Sequence, residues 1–406
     1  MTVINNIEID NIQYTRNVIK EAIINNEPID SKLHVVITIS NPCLYARRYI
    51  LLKEFINRME LEETDVIIYV VELVYKKQKY IVTQADNKRH LQIHTDVPIW
   101  HKENMTNLGV QQLLPPNWKA MAWIDSDIEF ENPNWAMDTL KVLNGTKDIV
   151  QVFSHCVDMN QHEETMHIFT SFGHQYVKKR QYTKKPNNFW HPGYGWACTR
   201  KAYEKMGGLY DKAILGSGDN IMALCLIQQG LMGINEESTE DYKESVLDFQ
   251  NRVKLLRLGY VPGVIRHHFH GSKKNRNYGE RWKILLNYDY EPSKHVTYAD
   301  NGVLVPTDSC PMEMLDEIFG YFKERNEDEF YQIPEPEKEV EIKPIEEVDE
   351  DDDDDDQYNY NPEDILLNEM YLTDDEEEQE DEIEELRPEN FFKSLWKSAL
   401  KFVNSN

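Results

Sequence analysis

No hydrophobic run in this chain approaches the roughly 18 residues that a membrane span needs. The opening Met1-Thr-Val-Ile-Asn-Asn-Ile-Glu8 has neither the basic nor the apolar region of a secretion signal, so the chain reads as neither exported nor threaded through a bilayer. Cysteine is scarce. Cys43, Cys156, Cys198, Cys225 and Cys310 are widely spaced, odd in number and form no Cys-x-x-Cys pair. That argues against a disulfide framework or a thiolate zinc site and fits a reducing, cytoplasmic compartment. Without an export signal, the sequons Asn104-Met-Thr and Asn144-Gly-Thr read as chance matches. Basic residues are also few, 44 against 72 acids, for a formal charge of −28. The deficit is local: between Ile333 and Leu386, 27 acids face 2 lysines, which leaves the rest of the chain close to neutral.

What the chain does have is apolar and aromatic side chains, 40% and 11% of its 406 residues, enough for a large core and too many for wholesale disorder. Leu33-His-Val-Val-Ile-Thr-Ile-Ser40 is a β-branched run that predicts a buried strand, ended by Asn41-Pro42. Asp65 to Glu72 and Met121 to Ile124 read the same way. Tyr45 to Met59 and Lys102 to Leu114 carry apolar residues at helical spacing, the second stopped by Pro115-Pro116. Strand, helix, strand, helix, strand is the rhythm of a parallel sheet covered on both faces. Further helices are predicted at Trp135–Leu143, Arg200–Met206 (ended by Gly207-Gly208), Asn220–Gln229 and Ser245–Leu258, and strands at Ile149–Phe153 and Ile265–His270. Thr15 to Asn25 could form one more helix, and Phe172 to Trp190, basic and polar, reads as an irregular ribbon. The expected organisation is an N-terminal extension (1–32), an α/β domain (33–333), a disordered acidic linker (334–386) and a basic amphipathic helix (387–406), with Lys393, Lys397 and Lys401 on one stripe.

Three patterns carry chemistry. Asp125-Ser-Asp127 follows directly on the strand ending at Ile124, where a parallel sheet opens onto its ligand crevice. Two carboxylates there could hold a hard divalent ion with positions left for diphosphate oxygens, or could form a solvated turn. Arg266-His-His-Phe-His-Gly271, read as a strand, sends His268 and His270 to one face and His267 to the other. An imidazole there could join a metal, and Lys273, Lys274 and Arg276 beside it suit a diphosphate or simply a solvated loop. Gly216-Ser-Gly-Asp-Asn220 opens a helix; Asp219 is placed either to cap it or to act as a general base. Upstream, His191-Pro-Gly-Tyr-Gly-Trp-Ala197 could let a sugar approach the backbone and stack on Tyr194 or Trp196, or could be aromatic core.

Taken in order with Trp100-His-Lys-Glu-Asn-Met-Thr-Asn-Leu-Gly109 and Gly207-Gly-Leu-Tyr-Asp-Lys-Ala-Ile-Leu-Gly-Ser-Gly-Asp219, these motifs resemble the metal-dependent glycosyltransferases of GT-A fold, in particular a group found in phages and large DNA viruses. The resemblance spans about Leu33 to Asp289. It implies a Rossmann-like, mixed but mostly parallel sheet with helices on both faces, Mn²⁺ or Mg²⁺ as cofactor, and a nucleotide-sugar donor such as a UDP-sugar. It implies Asp127 and His270 as metal ligands, with Asp125 on the ribose or on the metal through water. Asp219 would be the base of an inverting transfer to a glycan, protein or modified-base acceptor, although Asn220 stands where some related families carry a second acid. Asn104, Asn107, Lys273, Lys274 and Trp196 would contact the donor. A viral source would place the protein in the host cytoplasm or the virion. Two other readings use the same residues differently: a phosphoryl-transfer enzyme built on Asp125, Asp127 and His270, and an interaction protein whose acidic segment binds basic partners. The segment 387–406 could touch a membrane surface or dock on the body.

Overall fold

A computed structural model of the chain describes residues 2–4, 7–9, 24–62, 65–179, 190–277 and 279–329, all within one compact unit. The acidic linker, the helix expected at 387–406 and most of the one expected at Thr15–Asn25 lie outside the described residues.

The chain opens with an antiparallel ribbon, β1 (Thr2–Ile4) and β2 (Ile7–Ile9). It then lays down β3 (Leu33–Ser40), α1 (Ala46–Glu62), β4 (Val66–Tyr75), β5 (His90–Thr95), α2 (Lys102–Leu113) and β6 (Ala120–Ile124). These four strands are parallel neighbours in the order β6, β3, β4, β5, as the strand–helix rhythm predicts. Both faces are covered. Tyr69, Val71, Leu73 and Tyr75 of β4 share a core with Met105 and Leu108 of α2. The alternate Ile68, Val70 and Val74 are buried on the other side, where α1 supplies Leu52 and Phe55. Glu72 ends among polar groups instead: its carboxylate accepts from Ile81 N (2.7 Å), Thr83 N (2.8 Å) and Thr83 Oγ1 (2.6 Å), fixing the loop before β5.

Next come β7 (Ile128–Phe130), α3 (Trp135–Leu143), β8 (Ile149–Gln151), β9 (His155–Met159), β10 (Thr165–Ser171), α4 (Phe172–Val177), β11 (Trp190–His191) and β12 (Gly195–Thr199). After them run α5 (Arg200–Met206), α6 (Gly218–Leu226), α7 (Glu240–Val253), β13 (Leu258–Tyr260), β14 (Val264–His267), α8 (Trp282–Asn287), α9 (Pro292–His295), β15 (Val296–Tyr298), β16 (Leu304–Pro306) and α10 (Met312–Glu324). The main sheet has the order β13-β8-β12-β6-β3-β4-β5, and only β12 runs antiparallel to its neighbours. The α/β fold expected from the sequence, mixed but mostly parallel, is therefore present. A smaller sheet, β11-β10-β9-β14-β7, sits where the chain leaves β6. Its register sets His267 opposite both Ile128 and Asp158, which brings three distant segments to one point.

Several boundaries differ from expectation. Phe172 to Trp190 is not simply irregular: Ser171 Oγ caps α4 by accepting from His174 N (3.0 Å), and Trp190 opens β11. The helix read at Ser245–Leu258 starts at Glu240 behind the Thr239 cap and stops at Val253, leaving Leu258 to a strand. β14 ends at His267, not His270.

A candidate metal centre and a facing carboxylate

Asp127 leaves the end of β6 and is the last residue before β7, which pairs with β14. The backbone closes the corner: His268 N donates to Asp127 O (2.8 Å). Because β14 stops at His267, the next three residues turn, and strand alternation no longer holds. His267 and His270 converge, while His268 faces Glu129 (3.4 Å). This corrects the face assignment made from the sequence, and it adds a ligand that alternation had pointed away. His270 Nε2 lies 2.9 Å, and His267 Nε2 3.7 Å, from Asp127 Oδ2; the two imidazole nitrogens are 3.3 Å apart. Among the described residues, Asp127, His267 and His270 are the one group of three such side chains close enough to share an ion.

The donor set fits a cation. Asp127 Oδ1 is buried with no hydrogen-bond partner in the structure. His270 Nε2 also takes a contact from Arg276 Nη2 (2.8 Å), and it cannot accept from a guanidinium while donating to Asp127. A divalent ion facing all three lone pairs would resolve both conflicts, and one carboxylate with two imidazoles suits Mn²⁺. With protons alone at the site, burial opposes charge on His267, yet the hydrogen bonds it donates to Asp127 and Asp158 push it up to about 9. Burial likewise works against ionised Asp127, but His270 and His267 hold it well below the usual carboxylate range.

Asp125 does not join the cluster. It pairs with Lys102 at the start of α2, and its backbone N donates to Tyr194 O (2.7 Å). Tyr194, at φ +75°, presses its ring on His267 with centroids 4.7 Å apart and stacks on His191 at 4.2 Å. Its neighbour Gly193 leaves the space that Asp219 uses: an added Cβ would sit 2.7 Å from Asp219 Oδ2 and 2.9 Å from His191 Cε1. Asp219 lies in the first turn of α6, where Oδ1 accepts from Asn220 N (2.8 Å). Residues 193–194 thus stand between the metal cluster and Asp219.

Of the remaining expected donor contacts, Lys273 lies beside the cluster. Trp196 is core, stacked on Trp123 at 6.4 Å, with Nε1 donating to Pro192 O (2.7 Å). Asn104 bridges Asp211 (3.3 Å), Gly302 O (3.1 Å) and Leu304 N (3.0 Å). Asn107 spans Leu209 N and O (2.7 and 3.0 Å) and Tyr203 OH (3.0 Å). Both amides are used up in tying α2 to its neighbours. Lys273 pairs with Asp158, and Lys274 is exposed.

Glu103, which the sequence did not single out, is 4% exposed, with its carboxyl against Gly218 at the head of α6. Burial, with Asp219 and Asp125 nearby, pushes it up to about 8, against the pull of Lys102. A folded-state value above the unfolded one favours the native chain at low pH, and that advantage is lost as pH rises from the unfolded value toward 8. Glu103→Gln should therefore flatten the decline in stability between pH 5 and 9 and stabilise the protein at pH 9 by about 1–3 kcal/mol. Urea unfolding at the two pH values checks this.

No protein-family model matches the chain, and no curated protein matches it. Among solved structures, a mutant Drosophila β-1,4-galactosyltransferase 7 in complex with manganese, UDP-galactose and xylobiose is similar over 71% of this chain and 98% of that one, at 10% identity and a TM-score of 0.30. A mycobacterial protein is similar over 74% of this chain and 93% of that one, at 11% identity and a TM-score of 0.30. Likeness at this level leaves the chemistry to be read from the site itself.

Proposed function

We propose that this chain is a divalent-metal-dependent glycosyltransferase that passes a sugar from a nucleoside-diphosphate donor, a UDP-sugar in the first instance, to an acceptor hydroxyl. One juxtaposition carries the reading. A carboxylate at the end of a parallel strand meets two imidazoles, and a second carboxylate, Asp219, stands across Gly193 and Tyr194 from them. Asp127, His267 and His270 would hold the ion, which when bound offsets the charge that develops on a leaving diphosphate. Asp125, fixed by Lys102, is left to meet the ribose or a metal-bound water. Asp219 takes the proton of the acceptor hydroxyl through Oδ2, since Oδ1 is engaged by Asn220 N. A base on the acceptor side implies inversion. The acceptor is a hydroxyl on a glycan, a protein or a modified base. A two-ion phosphoryl-transfer site would need more converging carboxylates than the one cluster found among the described residues.

The test is a panel of nucleotide sugars with Mn²⁺ or Mg²⁺, read by thermal shift and by release of nucleoside diphosphate. One donor should raise the melting temperature only with metal, and EDTA should stop its turnover. Undiminished release in EDTA, or no selective donor, overturns the proposal.

A further inference from the structure

Each imidazole of the proposed metal site has a buried carboxylate behind it. His267 turns Nδ1 to Asp158 Oδ1 (2.6 Å); His270 Nδ1 lies 3.9 Å from Glu327 Oε2, beyond hydrogen-bond distance, and 3.3 Å from Arg276 Nη2; both leave Nε2 facing Asp127. Each carboxylate is 1% exposed at its side chain and is itself backed by cations. Lys273 pairs with Asp158. Arg48 and Arg325 grip Glu327, through Nη2–Oε1 (2.7 Å) and Nε–Oε1 (2.8 Å). A carboxylate at that depth is costly unless its charge is compensated, and cations compensate both.

Glu327 also belongs to a strap packed directly on the metal loop. Gly271, at φ +91°, lies so close that a Cβ would come within 3.0–3.2 Å of Glu327 Cα, Arg325 O and Asn326 O. Asp328 caps α1 through Ala46 N (2.8 Å) and Arg47 N (2.9 Å), and Glu329 accepts from Asn275 Nδ2 (3.0 Å) in the same loop. Arg47 Nε in turn donates to Phe269 O (3.0 Å).

Resting on the metal reading above, we infer that Asp158 and Glu327 are positioning residues for the metal centre. Asp158 keeps the proton of His267 on Nδ1, aims Nε2 at the ion and raises its basicity as a ligand, while Glu327 sets the place of His270 through the strap packed on its loop. Lys273 acts on the metal through Asp158, whatever it also does for a diphosphate. Asp158, at 2.6 Å, holds its imidazole more firmly than Glu327 does at 3.9 Å.

The experiment is Mn²⁺ titration of the full chain without nucleotide, by calorimetry and by loss of the free-ion EPR signal. Asp158→Asn should weaken Mn²⁺ binding about 10–100-fold, Glu327→Gln up to about tenfold, and Lys273→Met a few-fold. Ring-nitrogen NMR of the Mg²⁺ form should show His267 as a single Nδ1–H tautomer in the parent and a mixture in Asp158→Asn. Melting without metal separates this from a structural role, which would lower the apo midpoint and leave affinity and tautomer unchanged. Parent-like affinity in both Asp158→Asn and Lys273→Met overturns the inference. Should Asp158→Asn not fold, Lys273→Met, altered at a side chain 45% exposed, decides alone. A parent chain that does not bind Mn²⁺ overturns the metal reading instead.

Discussion

Asp127→Ala is expected to remove detectable Mn²⁺ binding and to lower sugar transfer by about 10³-fold or more, with circular dichroism unchanged. The size of the effect follows from the donor count. Asp127 supplies the only carboxylate of the three-residue group, and two neutral imidazoles bring no negative charge to balance a divalent ion. The fold should tolerate the change because the side chain makes no contact that stabilises the core. One carboxylate oxygen is unpartnered, and the two imidazoles that the other faces keep Asp158 and Glu327 behind them as counter-charges. His267→Ala should behave alike for binding, although the sequence pointed that residue away from the site. Transfer that persists in Asp127→Ala, or that survives EDTA in the parent, contradicts the assignment. The same titration on Asp125→Ala separates the two strand-end aspartates. Asp125 is occupied by Lys102, so its loss should weaken nucleotide-dependent binding more than binding of the bare ion.

The parts of this arrangement that could be read from the sequence are those with local causes. The run Leu33–Ser40 reads as a buried strand because Leu33, Val35, Ile37 and Ile39 make one apolar face and Val36 and Thr38 add β-branched residues on the other, and the apolar Met121–Ile124 placed Asp127 just past a strand end. Trp135–Leu143 and Arg200–Met206 match to the residue, since helical periodicity and a Gly207-Gly208 stop are short-range signals. The misses are non-local. His267 reaches the site because β14 ends three residues earlier than expected and the chain then turns, which pairing with β7 and β9 decides. Asn104 and Asn107 match the motif that suggested ligand contacts, but their amides are taken by segments far along the chain, Leu304 for Asn104 and Leu209 for Asn107, and Trp196 packs on Trp123 of the neighbouring strand. Asp158 and Glu327 sit in stretches with no recognisable pattern. Only the packing of β9 and of the strap on the metal loop reveals them. Glu103 carries no local signal either: Thr106 and Asn107 flank it on its helix face, and its burial comes from the head of α6 far along the chain.

Asp219→Asn should bind donor and metal as the parent does while transfer falls by about 10²–10⁴-fold, the range a lost general base accounts for. The substitution tests chemistry and not folding because it is nearly isosteric. An asparagine Oδ1 can still accept from Asn220 N, the 2.8 Å bond that ties the side chain to the first turn of α6. The Oδ2 position, which faces Gly193, becomes an amide that donates hydrogen bonds and cannot accept a proton. If Asp219 served only to order the helix start, transfer in the variant would stay within a few-fold of the parent. Gly193→Ala offers an independent check on the same pocket. Its methyl group would come 2.7 Å from Oδ2 and displace the carboxylate, so it should lower transfer with little effect on Mn²⁺ binding. Loss of transfer in both variants with metal and donor affinity preserved would place the base at Asp219; loss of metal binding in either would mean that the two halves of the site are not separable across residues 193–194.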